Sequence, residues 1–126
     1  MAGDFIWTPE PRMLERANLT RFMRRHGIAD YDQVVARSIA DLEWFWKSVD
    51  EDLGFEWFRP YTRVLDSSAG IAHTRWFVDG RINIAHNCVD RHAASWRRHK
   101  LALIWEGEDG RVARLTFREL SLQVAR

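Results

Sequence analysis

The stretch WFVDGRINIAHNCVDRH, Trp76 to His92, holds a turn pair, one cysteine and two histidines in a short run. Its first half reads as a β-hairpin: Arg75 to Val78 and Arg81 to Ile84 flank Asp79-Gly80, a dipeptide suited to the positive φ angles of a tight turn. Its second half opens a helix predicted from about Asn87 to Arg97, on which Cys88 and His92 stand four residues apart and share one side. The pair is either a reactive site or part of an architectural signature, and the rest of the chain is read from that choice.

A zinc site here would need His86 or His99 as a third ligand beside Cys88 and His92. Zinc ligands come in paired short spacings such as C-x-x-C, and a single thiol among loosely spaced histidines lacks that pattern. A Cys88/His92 nucleophile pair fails for another reason: cysteine hydrolases recruit the imidazole from a distant part of the chain and face the thiol with an oxyanion hole. The spacing therefore predicts a small packed thiol, histidines at a polar rim, and Asp90 and Arg91 paired with neighbouring elements. No Gly-rich phosphate loop and no G-x-G-x-x-G follows a strand. Glu106 and Glu108 flank a turn and read as solvated charge rather than an acid/base couple. These residues nominate no catalytic, cofactor-binding or metal-binding side chain.

Toward the amino terminus the pattern is helical. Thr8-Pro9 is expected to open a first helix that carries Pro11 in its first turn, sets Leu19, Phe22 and Met23 on one face and Arg16, Arg21, Arg24 and Arg25 on the other, and stops at Gly27. Asp30 can cap a short helix through Val34 and Val35, and Ser38 with Asp41 resembles a capping box for the next. There Leu42, Phe45, Trp46, Val49 and Leu53 form one apolar stripe that ends at Gly54 and needs a partner surface. Phe55, Trp57, Phe58, Pro60 and Tyr61 follow as an aromatic loop without a clean period, suited to an interface.

Toward the carboxy terminus, Ser67-Ser68-Ala69-Gly70 breaks the pattern before the hairpin region, and Leu101 to Trp105 reads as a buried strand. Gly107-Glu108-Asp109-Gly110 is its turn, and Val112 to Leu115 its partner. Thr116 and Glu119 form a capping-box pattern that opens a last helix with Phe117, Leu120 and Val124 on one face and no stop signal before Arg126. That pattern predicts continuation beyond the last residue given.

Composition bounds the function classes. At 126 residues the chain can bury a core, and 46% hydrophobic with 29% charged residues is ordinary for a globular domain. Nineteen basic residues, all Arg except Lys47 and Lys100, face 18 acidic ones, and no basic stripe emerges for phosphates to follow, so no nucleic-acid partner is expected. A lone cysteine cannot form an internal disulfide, and the opening residues carry Asp4, Glu10 and Glu15 with no signal-like apolar run. No window approaches the roughly 20 apolar residues of a membrane span. A cytoplasmic location without a membrane partner is the expectation.

The run Trp76 to Ile84, then Asn87-Cys88-Val89-Asp90-Arg91-His92, then Leu103-Ile104-Trp105-Glu106-Gly107-Glu108, resembles the amino-terminal region of AMP-forming acetyl-CoA synthetases and related short-chain acyl-CoA ligases. Ser38-Ile39, Phe45-Trp46 and Trp57-Phe58-Arg59-Pro60-Tyr61 extend the resemblance, and Leu115-Thr116-Phe117-Arg118-Glu119-Leu120 is similar to the start of the large adenylate-forming domain. Trp7-Thr8-Pro9 through Leu19-Thr20-Arg21-Phe22-Met23 looks more like acetoacetyl-CoA synthetases. The resemblance implies residues 1–111 as an acetyl-CoA synthetase-like amino-terminal domain and 112–126 as the start of a truncated AMP-binding domain. It implies an α+β fold of helices, aromatic loop, short β-hairpins and the first helix of that larger domain.

The family joins a carboxylic acid to coenzyme A with ATP, so ATP, Mg and CoA are implied for a full-length ligase and none for this chain. No catalytic, cofactor-binding or metal residue is carried over, because the family's phosphate loop, adenine motif and lysine have no counterpart here. The chain alone is expected to be inactive, with the remainder of the ligase as its partner and self-association through exposed apolar faces as a further expectation. The alternative is a free-standing interaction module or remnant reading frame that binds through the aromatic face around Trp57 and Phe58.

Overall fold

The computed structural model describes Trp7 to Ala125; residues 1–6 and Arg126, the outer ends of the two predicted domain spans, lie outside the described residues. It falls into two compact units, Met1–Gly54 and Phe55–Arg126. Helices make up the first unit, and short antiparallel ribbons dominate the second, so the α+β class holds.

The single helix predicted from Thr8 to Gly27 is two helices, α1 (Pro11–Arg16) and α2 (Asn18–His26). A residue before proline is forced out of the α region, so Glu10, extended at ψ 152°, cannot be helical and the first turn starts at Pro11 rather than Pro9. Ala17 is extended between the helices, and the Thr20 hydroxyl donates to the Leu14 carbonyl at 2.6 Å across that break. Gly27, at φ 64°, supplies the left-handed stop.

Asp30 caps α3 (Tyr31–Ala40) by accepting from the Gln33 amide at 2.8 Å. The cap of α4 (Leu42–Leu53) is Asp41, which accepts from the Trp44 amide at 2.9 Å. Ser38 is not part of a capping box: it lies inside α3, where its hydroxyl donates to the Val35 carbonyl at 2.9 Å. A one-residue link leaves Asp41 as both the end of α3 and the start of α4, so the cap falls there.

Phe22 is the buried hub of this unit, with its ring centroid 4.5 Å from His26, 6.2 Å from Trp44 and 6.3 Å from Phe45. Trp44 lies off the predicted stripe yet joins the core, edge-on to His26 at 5.4 Å and beneath the Arg37 guanidinium at 3.6 Å. The stripe itself is only partly covered: Phe45 and Val49 are half-buried, whereas Leu42, Trp46 and Leu53 stay exposed.

In the second unit the strands are β1 (Trp57–Arg59), β2 (Arg63–Asp66), β3 (Arg75–Val78), β4 (Arg81–Ile82), β5 (Leu101–Glu106) and β6 (Val112–Thr116). The predicted hairpin across Asp79-Gly80 does not form. β3 pairs with β2, placing Leu65 opposite Trp76, and β4 pairs with β1, placing Trp57 opposite Ile82. The aromatic loop is thus partly strand, and β2 is an element the sequence reading missed. What replaces the hairpin is a sharp crossing in which Phe77 (φ 46°) and Asp79 (φ 61°) both take left-handed backbone. Trp57, Tyr61 and Phe77 hold it there with ring centroids 5.1 to 5.4 Å apart. Gly80 is required because a Cβ would lie 2.6 Å from the Trp57 ring.

The helix predicted over 87–97 is shorter: a π-helical turn (His86–Asp90) runs into α5 (Arg91–Ala93), and turns follow. β5 and β6 pair as predicted around the Gly107–Gly110 turn, but β5 is exposed rather than buried, with Ile104 61% accessible. Thr116 and Glu119 form the full capping box of α6 (Phe117–Val124), on which Phe117 and Leu120 are half-buried and Val124 is exposed.

Because Asp41 and not Ser38 caps α4, Asp41→Ala is expected to lower stability by about 1 kcal/mol, measured by urea denaturation. Ser38→Ala is expected to stay within about 0.5 kcal/mol. The reverse order would restore the capping box predicted from sequence.

Candidate functional site

The residues of the opening stretch converge on Glu56, the residue before β1. Asn87, on the π-helical turn, is 3% accessible, and its amide group grips the Glu56 backbone from both sides. Its Oδ1 accepts from the Glu56 N–H at 2.8 Å, while its Nδ2 donates to the Glu56 carbonyl at 3.0 Å and to the Asn83 carbonyl at 3.1 Å. Asn83 starts the turn, accepting from the His86 amide through its side chain at 3.1 Å. Buried polar groups are expensive to leave unpaired, and here one side chain satisfies three backbone groups.

The Glu56 carboxylate closes the arrangement. One oxygen lies 2.6 Å from His86 Nε2, and the other lies 3.8 Å from the Arg91 guanidinium. Next to it, His92 is half-buried and packs tilted against Phe117 of α6, ring centroids 5.0 Å apart. Desolvation holds the His92 pKa below its ordinary 6.5, and the Arg91 and Arg97 charges push the same way against a weaker opposing pull from Glu56. The stretch thus ties the start of β1 to a turn that in turn supports α6.

Sequence reasoning placed Arg91 correctly as an ion-pair partner. Asp90 is exposed and forms no ion pair among the described residues, so the pairing expected of it is not seen. Two further points need correction. Cys88 is exposed rather than packed, because π-helical winding puts Asn87 and Val89, and not the thiol, on the inward side. The aromatic face around Trp57 and Phe58 divides: Trp57 is taken up by Tyr61 and Phe77, whereas Phe58 is 66% accessible and 5.4 Å from the His86 ring. Glu56 was missed altogether, and the Asn83 and Asn87 roles were unassigned. The signal for them was the Asn-x-x-x-Asn spacing itself, which lets one amide cap a turn and the other reach out of it.

Among the described residues no group of three or more His, Cys, Asp or Glu side chains could hold a metal ion, and no hydrogen bond joins Cys88 to His92. His99 stands apart as an exposed residue near Glu119. The arrangement binds backbone and orders the connection into β1.

Residues 31–88, which end within the π-helical turn, match the family described as acetyl-coenzyme A synthetase N-terminus. An acetyl-coenzyme A synthetase of Chlorobaculum tepidum is 42% identical over 100 residues, 79% of this chain and 15% of that protein. By sequence, the chain matches the amino-terminal region of the acetyl-CoA synthetases. A second such synthetase, from Thiobacillus denitrificans, is 36% identical over 119 residues, 94% of this chain and 17% of its own length. The solved acetoacetyl-CoA synthetase from Streptomyces lividans superposes with a TM-score of 0.80 at 30% identity, over 94% of this chain and 19% of that one. The chain therefore spans only about a sixth of the length of these acetyl-CoA synthetase relatives.

Asn87→Leu leaves the Glu56 N–H without its partner inside the fold and is expected to cost about 3 kcal/mol in a denaturation experiment. Cys88→Ala, at an exposed thiol, is expected to change stability by less than about 0.5 kcal/mol.

Because the folded state lowers the His92 pKa, the unfolded chain binds the proton more readily. His92 therefore contributes stability that is fully present above 6.5 and is lost as the pH falls below it, levelling off under the folded-state pKa. Thermal melts between about pH 8 and 5 should show this decline, and His92→Gln should flatten it.

Proposed function

We propose that the chain is the amino-terminal, non-catalytic part of an AMP-forming acyl-CoA ligase, which converts a short-chain carboxylic acid, ATP and CoA to acyl-CoA, AMP and pyrophosphate. The observation that carries this reading is the match of residues 31–88 to the acetyl-coenzyme A synthetase N-terminus, with Asn83, Asn87 and Arg91 holding backbone and an ion pair. Similarity over nearly the whole chain to a small share of two larger ligases supports it. In this reading residues 1–111 are the acetyl-CoA synthetase-like domain and 112–126 begin the adenylation domain, the two being tied by the β5–β6 pairing.

The sequence carries no Gly-rich phosphate loop for ATP, and the family places ATP, Mg and CoA elsewhere in the ligase. Those groups belong to the adenylation portion, the partner of this region, and the ligase would work in the cytoplasm. Acetate is the acid named by the acetyl-CoA synthetase relatives and acetoacetate the one named by the solved structure.

The test is to follow the reading frame in its source genome to its stop codon, express the whole of it, and measure AMP release with ATP, CoA and either acetate or acetoacetate. Acid-dependent AMP formation by the full product, with none from residues 1–126 alone, is the expected result. A frame that encodes no adenylation domain, or turnover by the 126 residues themselves, would refute the reading.

A further inference from the structure

The turn between α5 and β5 carries four consecutive basic or titratable side chains, Arg97, Arg98, His99 and Lys100. Residues Trp96, Arg97, Arg98, His99 and Lys100 are all exposed, and the Trp96 indole is 72% accessible. Lys100 Nζ sits 4.1 Å from the indole centroid and the Arg97 guanidinium 5.3 Å from it, so a cationic rim surrounds a flat apolar ring. Arg118, also exposed, is joined to this turn through its backbone, its amide donating to the Arg98 carbonyl at 3.1 Å. None of Arg97, Arg98, Lys100 and Arg118 forms an ion pair among the described residues, unlike Arg91 and Arg111 of the same unit. The nearby Glu119 carboxylate is already taken by the amide and hydroxyl of Thr116, both at 2.8 Å.

We propose that the Trp96–Lys100 turn, with Arg118, is a docking surface for an acidic segment of a protein partner. This goes beyond the ligase reading and does not depend on it. Charge complementarity selects the partner: two cations at one exposed ring, with two more exposed arginines on the same turn and the adjoining helix and none of the four in an ion pair among the described residues, are matched by carboxylates, which guanidinium groups take bidentately. Tryptophan and arginine are also the side chains that dominate interface hot spots. A nucleic-acid strand stacks successive bases on several aromatic rings, and this turn presents one. A lipid surface rewards several apolar side chains entering together, whereas the four residues after Trp96 are all polar.

The test uses the 126-residue chain and labelled poly-L-glutamate, followed by fluorescence anisotropy at about 0.15 M salt. Arg97→Glu/Arg98→Glu/Lys100→Glu and, separately, Trp96→Ala are each expected to weaken binding at least ~10-fold. The control Arg12→Glu/Arg16→Glu/Arg24→Glu, in the first unit, is expected to bind like the parent. Circular dichroism melts establish folding, and if the triple variant is unfolded, Arg98→Ala replaces it with the same direction of change. No binding by the parent chain, equal loss in the control, or tighter binding of polyuridylate or phosphatidylglycerol vesicles than of poly-L-glutamate would each overturn the proposal.

Discussion

The grip of the Asn87 side chain on the Glu56 backbone is the constraint around which the second unit is organised. A carboxamide presents one acceptor and two donors in a plane, which matches the N–H and C=O of a single extended residue. Here that match is completed by the Asn83 carbonyl inside the turn, so a buried polar group has its partners and the turn is locked to the strand it serves. Once Glu56 is fixed, Trp57 is delivered to Tyr61 and Phe77, and their packing holds Phe77 and Asp79 in left-handed backbone that neither residue favours alone. Loosening the grip would therefore release more than one hydrogen bond.

The apolar residues are distributed unlike those of a self-contained domain. Among the described residues only Phe22, Val34, Val64 and Val89 are buried hydrophobics, while Leu42, Trp46 and Leu53 of α4 and Leu101, Leu103, Ile104 and Trp105 of β5 remain accessible. A groove of about 430 Å³ opens beside Leu19, Phe22, Val34, Phe45 and Val49. Fully burying a large apolar side chain is worth roughly 1.5–3 kcal/mol, so these faces, with Trp46 39% and Ile104 61% accessible, forgo about half of what they could contribute to folding. That economy is consistent with a region whose relatives are several times its length.

Local chemistry was legible in the sequence wherever one residue or one turn decided the outcome. The caps at Asp30 and Thr116, the stops at Gly27 and Gly54, and the β5–β6 hairpin all depend on neighbours within a few positions. The strand pairing of β1 with β4 and β2 with β3 was not legible, because it is set by an aromatic cluster drawn from residues some 20 positions apart. Asp79-Gly80 carries the hairpin signal, yet packing of Trp57 against Gly80 uses the same glycine for a crossing between ribbons. In the candidate site, the motif was readable as a signature, but the π-helical winding that turns Asn87 inward and Cys88 outward leaves no mark in hydrophobic periodicity.

If the Asn87 grip is the organising constraint, the Glu56 amide must be protected from solvent by the fold and not by a strand ladder. Native-state hydrogen exchange at that single amide measures this directly. Protection of the Glu56 amide comparable to that of the amides of the β2–β3 ribbon is expected. Exchange of the Glu56 amide near its unprotected rate, while Leu65 and Trp76 in that ribbon stay protected, would contradict it.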